Sequence, residues 1–75
     1  MNLYEADFNK PVMIKNINLH GMKKRRLYDL GFINGEKIVK EFESIFKNPI
    51  CYQVKNTLIA VRNEDAMSIE VEYEK

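Results

Sequence analysis

Few side chains in this sequence are equipped for metal or nucleophile chemistry. The chain has one histidine, His20, and one cysteine, Cys51. A closed zinc-type site takes four N or S ligands, and no His-x-x-x-Glu spacing offers an imidazole–carboxylate pair for ferrous iron. His20 stands before Gly21 and reads as a cap on a loop at a helix entrance. Cys51 opens a strand and reads as a small buried hydrophobe. No metal ligand is therefore assigned, and direct metal binding stays the minority reading. The lone cysteine also excludes an intramolecular disulfide and fits a reducing compartment. The sequence has no glycine-rich phosphate loop, no Ser/His/Asp set and no carboxylate pair marked as an acid–base couple. No catalytic residue and no cofactor are expected, and an enzyme is a distant reading.

The cluster Lys23-Lys24-Arg25-Arg26 says more. Cations in the first turn of a helix oppose its macrodipole, at a cost of ~0.3–1 kcal/mol each. Such a placement asks for an anionic counterpart. An internal one is available in the tail carboxylates Glu70, Glu72 and Glu74, and in Asp29, which follows Arg25 and Arg26 at ion-pair spacing. On that account the cluster is a solvated, internally paired face. An external counterpart makes it an electrostatic docking surface for an acidic protein. Nucleic acid is a third possibility, opposed by the shortness of the patch and its single neighbouring aromatic, Tyr28. Tyr28 lies about 100° around the helix from Leu27, off the presumed core face. Exposed beside Arg25 and Phe32, it has the composition of a binding hot spot; buried, it is a core plate. Both remain open. The candidate partner-binding residues are Lys23, Lys24, Arg25, Arg26, Tyr28, Gly31 and Phe32, and sheet edges offer a second docking route by strand addition.

The elements that must position these residues fit one small domain spanning residues 1–75. At 45% hydrophobic and 31% charged, the chain is not disordered. Its net charge of +1 excludes a basic footprint covering the whole domain. That charge is unevenly spread: +3 over residues 1–31, +1 over 32–61 and −3 over 62–75. The longest apolar run, residues 58–61, is far short of the ~20 residues of a membrane helix, and residues 1–10 carry no signal pattern. A soluble cytoplasmic protein with no membrane insertion is expected.

Short strands dominate. Residues 12–17 alternate imperfectly, with Ile17 out of phase with Val12 and Ile14. Residues 37–46 read as one long strand, in which Ile38, Lys40 and Phe42 share a phase and a bulge is expected. Asn48-Pro49 signals a turn into a return strand at 50–54. Lys55-Asn56 makes a tight hairpin into 57–61, with Asn56 suited to a positive φ. Asn63 is expected to cap one helical turn, and residues 68–73 alternate with Ile69, Val71 and Tyr73 inward. The convincing helix is 22–30, closed by Gly31. Five to six short strands with one inserted helix predict a mainly β, partly open SH3-like barrel.

Residues 22–36, with Arg26-Leu27 and Leu30-Gly31 followed by Gly35 and a strand, resemble the signature of the FeoA (ferrous iron transport protein A) family. Asn48-Pro49-Ile50 and residues 58–62, then Glu64-Asp65-Ala66 and Ile69-x-Val71, match in the family's order. The resemblance covers roughly residues 10–72. It departs at Asn9 and Asn56, where the family commonly has Gly; Asn tolerates the left-handed region next best, so the backbone is expected to survive. The resemblance implies an SH3-like barrel acting as a cytoplasmic accessory of ferrous iron uptake. It implies no catalytic site, and its implied partner is the cytosolic region of a FeoB-type ferrous iron transporter, which the chain would modulate as a monomer or weak oligomer. Nucleic acid is not an expected partner. The alternative is a detached regulatory or metal-sensing domain, related to the C-terminal SH3-like module of iron-dependent repressors.

Overall fold

The first expectation to meet the structure is the phase slip at Ile17, and a bulge resolves it. In the computed structural model, which describes residues 1–74, strand β1 (Val12–Ile17) pairs antiparallel with β5 (Ile69–Tyr73). Ile14 faces Val71, yet Asn16 faces Glu70 and Ile17 faces Ile69, so Lys15 is the extra residue. The bulge brings Ile17 back onto the buried face. Lys75, part of the expected domain, lies outside the described residues.

A 3₁₀ turn (Leu3–Glu5) precedes β1, and helix α1 (Gly21–Asp29) follows it. Next come β2 (Lys37–Glu43), β3 (Ile50–Val54), β4 (Thr57–Val61) and a single helical turn, α2 (Asn63–Ala66), before β5. The five strands form one antiparallel sheet in the order β4-β3-β2-β1-β5, which leaves β4 and β5 as edges. The sheet is partly open and wraps a core that includes Val12, Ile14, Ile38, Tyr52, Ile69 and Val71.

The expected bulge in β2 falls between Lys40, which faces Tyr52, and Phe42, which faces Cys51. With Glu41 as the extra residue, Phe42 leaves the phase of Ile38 and Lys40 and is exposed. The strand stops at Glu43 and does not run on to residue 46. A turn closes there, with Lys47 N–H donating to Ser44 O at 2.9 Å and Ser44 N–H to Pro49 O at 3.2 Å. Ile45 and Phe46 project from its tip, 93% and 86% exposed.

Three smaller expectations are corrected. The positive φ of the β3–β4 hairpin belongs to Lys55 (57°), not to Asn56. Arg62, not Asn63, holds the N-cap position of α2. Asn63 is instead tied to the β2–β3 turn, its N–H donating to Asn48 Oδ1 at 3.1 Å and its side-chain amide to Lys47 O at 2.9 Å. Tyr73 is not inward; it is exposed, and its hydroxyl accepts from Asp7 N–H at 3.1 Å. At Asn9 the backbone does take a positive φ, 64°, the conformation that Asn tolerates.

Residues 1–8 carried no element in the sequence reading and prove to be structural. Asn2 and Glu5 form a reciprocal capping box around the 3₁₀ turn, Leu3 is fully buried, and Met1 O accepts from Val71 N–H at 2.8 Å.

Candidate docking surface

Helix α1 ends as its sequence prescribes. Phe32 N–H donates to Leu27 O at 2.9 Å and Gly31 N–H to Tyr28 O at 3.0 Å, the paired bonds of a Schellman closure. The closure requires a left-handed residue, and Gly31 supplies it with φ 104°. A Cβ there would stand 3.3 Å from Val54 Cγ1. The same closure turns Phe32 inward against Leu27, and Phe32 is completely buried. Phe32 is therefore a core residue, and it meets the candidate surface only from beneath, in the lining of the cleft beside Tyr28. Gly31 shapes that surface as a half-buried hinge of the chain, not as a contact.

Leu27 is the one buried residue of α1, so the helix lies against the barrel on a narrow line and shows the rest to solvent. Tyr28 is 61% exposed, which settles its two readings in favour of the surface. Lys23 Nζ bonds Asp65 of α2 at 3.1 Å. That internal counterpart is not the expected tail: Glu72 pairs with Lys15 at 3.0 Å and Glu74 with Lys37 at 3.9 Å. Among the described residues, Lys24, Arg25 and Arg26 form no ion pair, and Asp29 accepts none from the arginines before it. The charge on this face is largely unspent.

Two hollows flank the helix. Lys24 and Tyr28 border a cleft of about 440 Å³ completed by Asn16, Ile17, Phe32, Ile33 and Asn34. On the other side Arg26, Leu27 and Leu30 face Ile59, Val61 and Arg62 across a groove of about 150 Å³. Neither Leu30 nor Arg62 was among the candidates. Leu30, three residues after Leu27, is exposed at the helix end. Arg62 is remote in sequence, and only the packing of β4 beside α1 brings it near.

His20 occupies the N-cap position of α1, but its side chain makes no capping bond, contrary to the loop-cap expectation. Cys51 is half-buried on β3 and free, not fully buried. Among the described residues no group of three His, Cys, Asp or Glu side chains is placed to hold a metal ion. No helix among them is long and apolar enough to cross a membrane.

The partly open, five-stranded antiparallel sheet places the chain among the small SH3-like barrel proteins, with one helix inserted after its first strand. Within that class the chain belongs to the FeoA family, whose domain model matches residues 1–73. It is 28% identical over 72 residues to an Fe(2+) transport protein A/Fe(2+) transporter FeoB fusion protein of Porphyromonas gingivalis, covering 96% of this chain and 8% of that protein. The solution structure of iron(II) transport protein A from Clostridium thermocellum superposes with a TM-score of 0.90 at 30% identity, over 97% of this chain and 45% of that one. The crystal structure of Stenotrophomonas maltophilia FeoA, solved with zinc and described as a prokaryotic SH3 domain protein, gives 0.82 at 28% identity, over 96% and 89%. The T. acidophilum IdeR structure superposes with a TM-score of 0.83 at 21% identity, over 99% of this chain and 34% of that one, a likeness of fold alone.

Proposed function

We propose that this chain is a cytoplasmic accessory protein of ferrous iron uptake, working as a single protein-binding domain on the cytosolic region of a FeoB-type transporter and modulating it without catalysis. The observation that carries the reading is the P. gingivalis relative, named as a fusion of transport protein A with the FeoB transporter. A covalent link raises the effective concentration of one module at the other, so such a fusion favours a direct contact between them. The exposed basic face of α1 supports the same reading, because it suits electrostatic recognition of an acidic protein surface. On that face Lys23 is paired with Asp65, while Lys24, Arg25 and Arg26 form no ion pair among the described residues. The alternative, a detached regulatory domain, is supported by the fold likeness to IdeR and by nothing else in the structure.

Radioactive ferrous iron uptake tests the proposal in cells lacking the chain. Uptake is expected to return to its normal rate with the native sequence and to stay abnormal with Lys24→Glu/Arg25→Glu/Arg26→Glu expressed at the same level. Equal uptake with and without the chain would remove the accessory role.

A further inference from the structure

The small groove between α1 and β4 has a composition that neither the family assignment nor the proposed function explains. Leu27 and Leu30 form one wall, and Ile59 and Val61 the other. Lys23, Arg26, Arg62 and Asp65 ring the opening. Asp65 answers the charge of Lys23 at 3.1 Å. Among the described residues nothing answers Arg26 or Arg62, so the apolar slot carries two unmatched guanidinium groups at its rim. Beside it β4 is an edge strand, hydrogen-bonded to β3 alone.

The volume decides the kind of ligand. At about 150 Å³ the groove is well below the ~300–1,000 Å³ of a small-molecule site. It suits a single aliphatic side chain. The apolar walls argue against a bare anion, and the exposed aromatic of the helix, Tyr28, borders the opposite cleft, which leaves no stacking platform for a nucleic-acid base here. Guanidinium forks pair with carboxylates in a planar, two-bond geometry that a lysine cannot match. An open sheet edge also favours an extended partner, which finds unpaired backbone groups there.

We infer that the groove between α1 and β4 receives one aliphatic side chain of an extended acidic protein segment, whose neighbouring carboxylates pair with Arg26 and Arg62. The inference deepens the proposed function and rests on it for the setting, since it names the kind of segment such a partner presents. It places the specific contact on the Arg26 side of α1, with Lys24 and Arg25 contributing only general attraction.

The test is fluorescence anisotropy at low salt with the full chain and a dye-labelled probe, Gly-Ser-Glu-Glu-Leu-Glu-Glu-Ser-Gly. Saturable binding is expected. Replacing the probe's leucine with serine, or the chain's Arg26→Glu/Arg62→Glu, is expected to weaken it about tenfold, as the loss of one anchor or of two charge-assisted pairs implies. Lys24→Glu/Arg25→Glu makes the same change in net charge and is expected to weaken it less than about threefold, in keeping with screened attraction. Circular dichroism confirms that each variant is folded, and Arg26→Gln/Arg62→Gln repeats the result without charge reversal. No saturable binding, or equal weakening by the two charge-reversed pairs, overturns the inference. Self-association of the native chain that Arg26→Glu/Arg62→Glu abolishes would put a second copy in the groove and overturn it as well. The transporter's cytosolic region is titrated in parallel. If it binds and Arg26→Glu/Arg62→Glu leaves that affinity unchanged, the groove assignment fails while the proposed function stands. If the probe binds and the transporter region does not, the proposed function fails while the groove assignment stands.

Discussion

Lys40 carries its ammonium into the interior, where Nζ donates to Tyr4 O at 2.8 Å and Ala6 O at 3.2 Å. The rings of Tyr4 and Phe8 lie 5.1 Å and 4.7 Å away, within cation–π range. One side chain thus pins the N-terminal segment to β2. Truncation to alanine removes the packed stem and strands two carbonyls, so Lys40→Ala is expected to cost about 2–4 kcal/mol in chemical denaturation, and Lys40→Met, which keeps the stem, clearly less. Burial lowers the Lys40 pKa below the ordinary lysine value, against the raising influence of Glu43 and Asp7. Between the lowered folded value and the ordinary unfolded one, the unfolded chain binds more protons, so this group's contribution to stability rises with pH across that window. Below the window both states are charged and its cost is constant. The difference in unfolding free energy between the native chain and Lys40→Met should therefore shift in favour of the native chain as pH climbs towards the ordinary lysine value; parallel curves would contradict this. Tyr52 offers a second check. Its hydroxyl is buried without a hydrogen-bond partner among the described residues, and burial, with Tyr4 nearby, raises its pKa. Tyr52→Phe is expected to stabilise the fold by about 0.5–1.5 kcal/mol, read from the same denaturation curves.

At the scale of elements, the closure of α1 does the positioning. Gly31→Ala forces a Cβ into the left-handed region and against Val54, 3.3 Å away. A loss of about 1–3 kcal/mol is expected in thermal or urea unfolding. Because Phe32 enters the core through the same turn, the tilt of the exposed helix should change with it, visible as altered amide shifts along α1. This turn was legible in sequence, since Leu30-Gly31 after an apolar spacing of three carries its own chemistry. The end of β2 was not. Apolar residues at 42, 45 and 46 imitate a continuing strand, and alternation alone cannot tell a core face from the apolar tip of a turn. Lys40 escaped for the opposite reason: a lysine in a strand phase reads as solvent-facing until the N-terminal turn that supplies its carbonyls is in view. Residues 1–8 were silent because a capping box across a 3₁₀ turn has no periodicity, and its partners Val71 and Lys40 lie far along the chain.

Across the whole molecule, charge is sorted. Tail carboxylates are spent on sheet lysines, Glu72 on Lys15 and Glu74 on Lys37, and among the described residues the basic cluster of α1 has one ion pair, Lys23 with Asp65. The basic cluster was visible in sequence, but its pairing was not, since Asp65 meets Lys23 only through the return of the chain at α2. Exposed pairs and solvated charges contribute little to stability. Lys24→Glu/Arg25→Glu should accordingly shift unfolding by no more than about 0.5 kcal/mol, while any binding by this face to an acidic partner falls with added salt. The most direct test of the central claim is a backbone amide NMR titration of the isotope-labelled full chain with the purified cytosolic region of its cognate FeoB-type transporter. The account predicts saturable shifts concentrated on α1 from Lys23 to Leu30 and on Ile59 to Arg62, weaker at higher salt, with residues 45 and 46 unmoved. Absence of shifts at high micromolar partner, or shifts confined to β5 and the N-terminal turn, would contradict it.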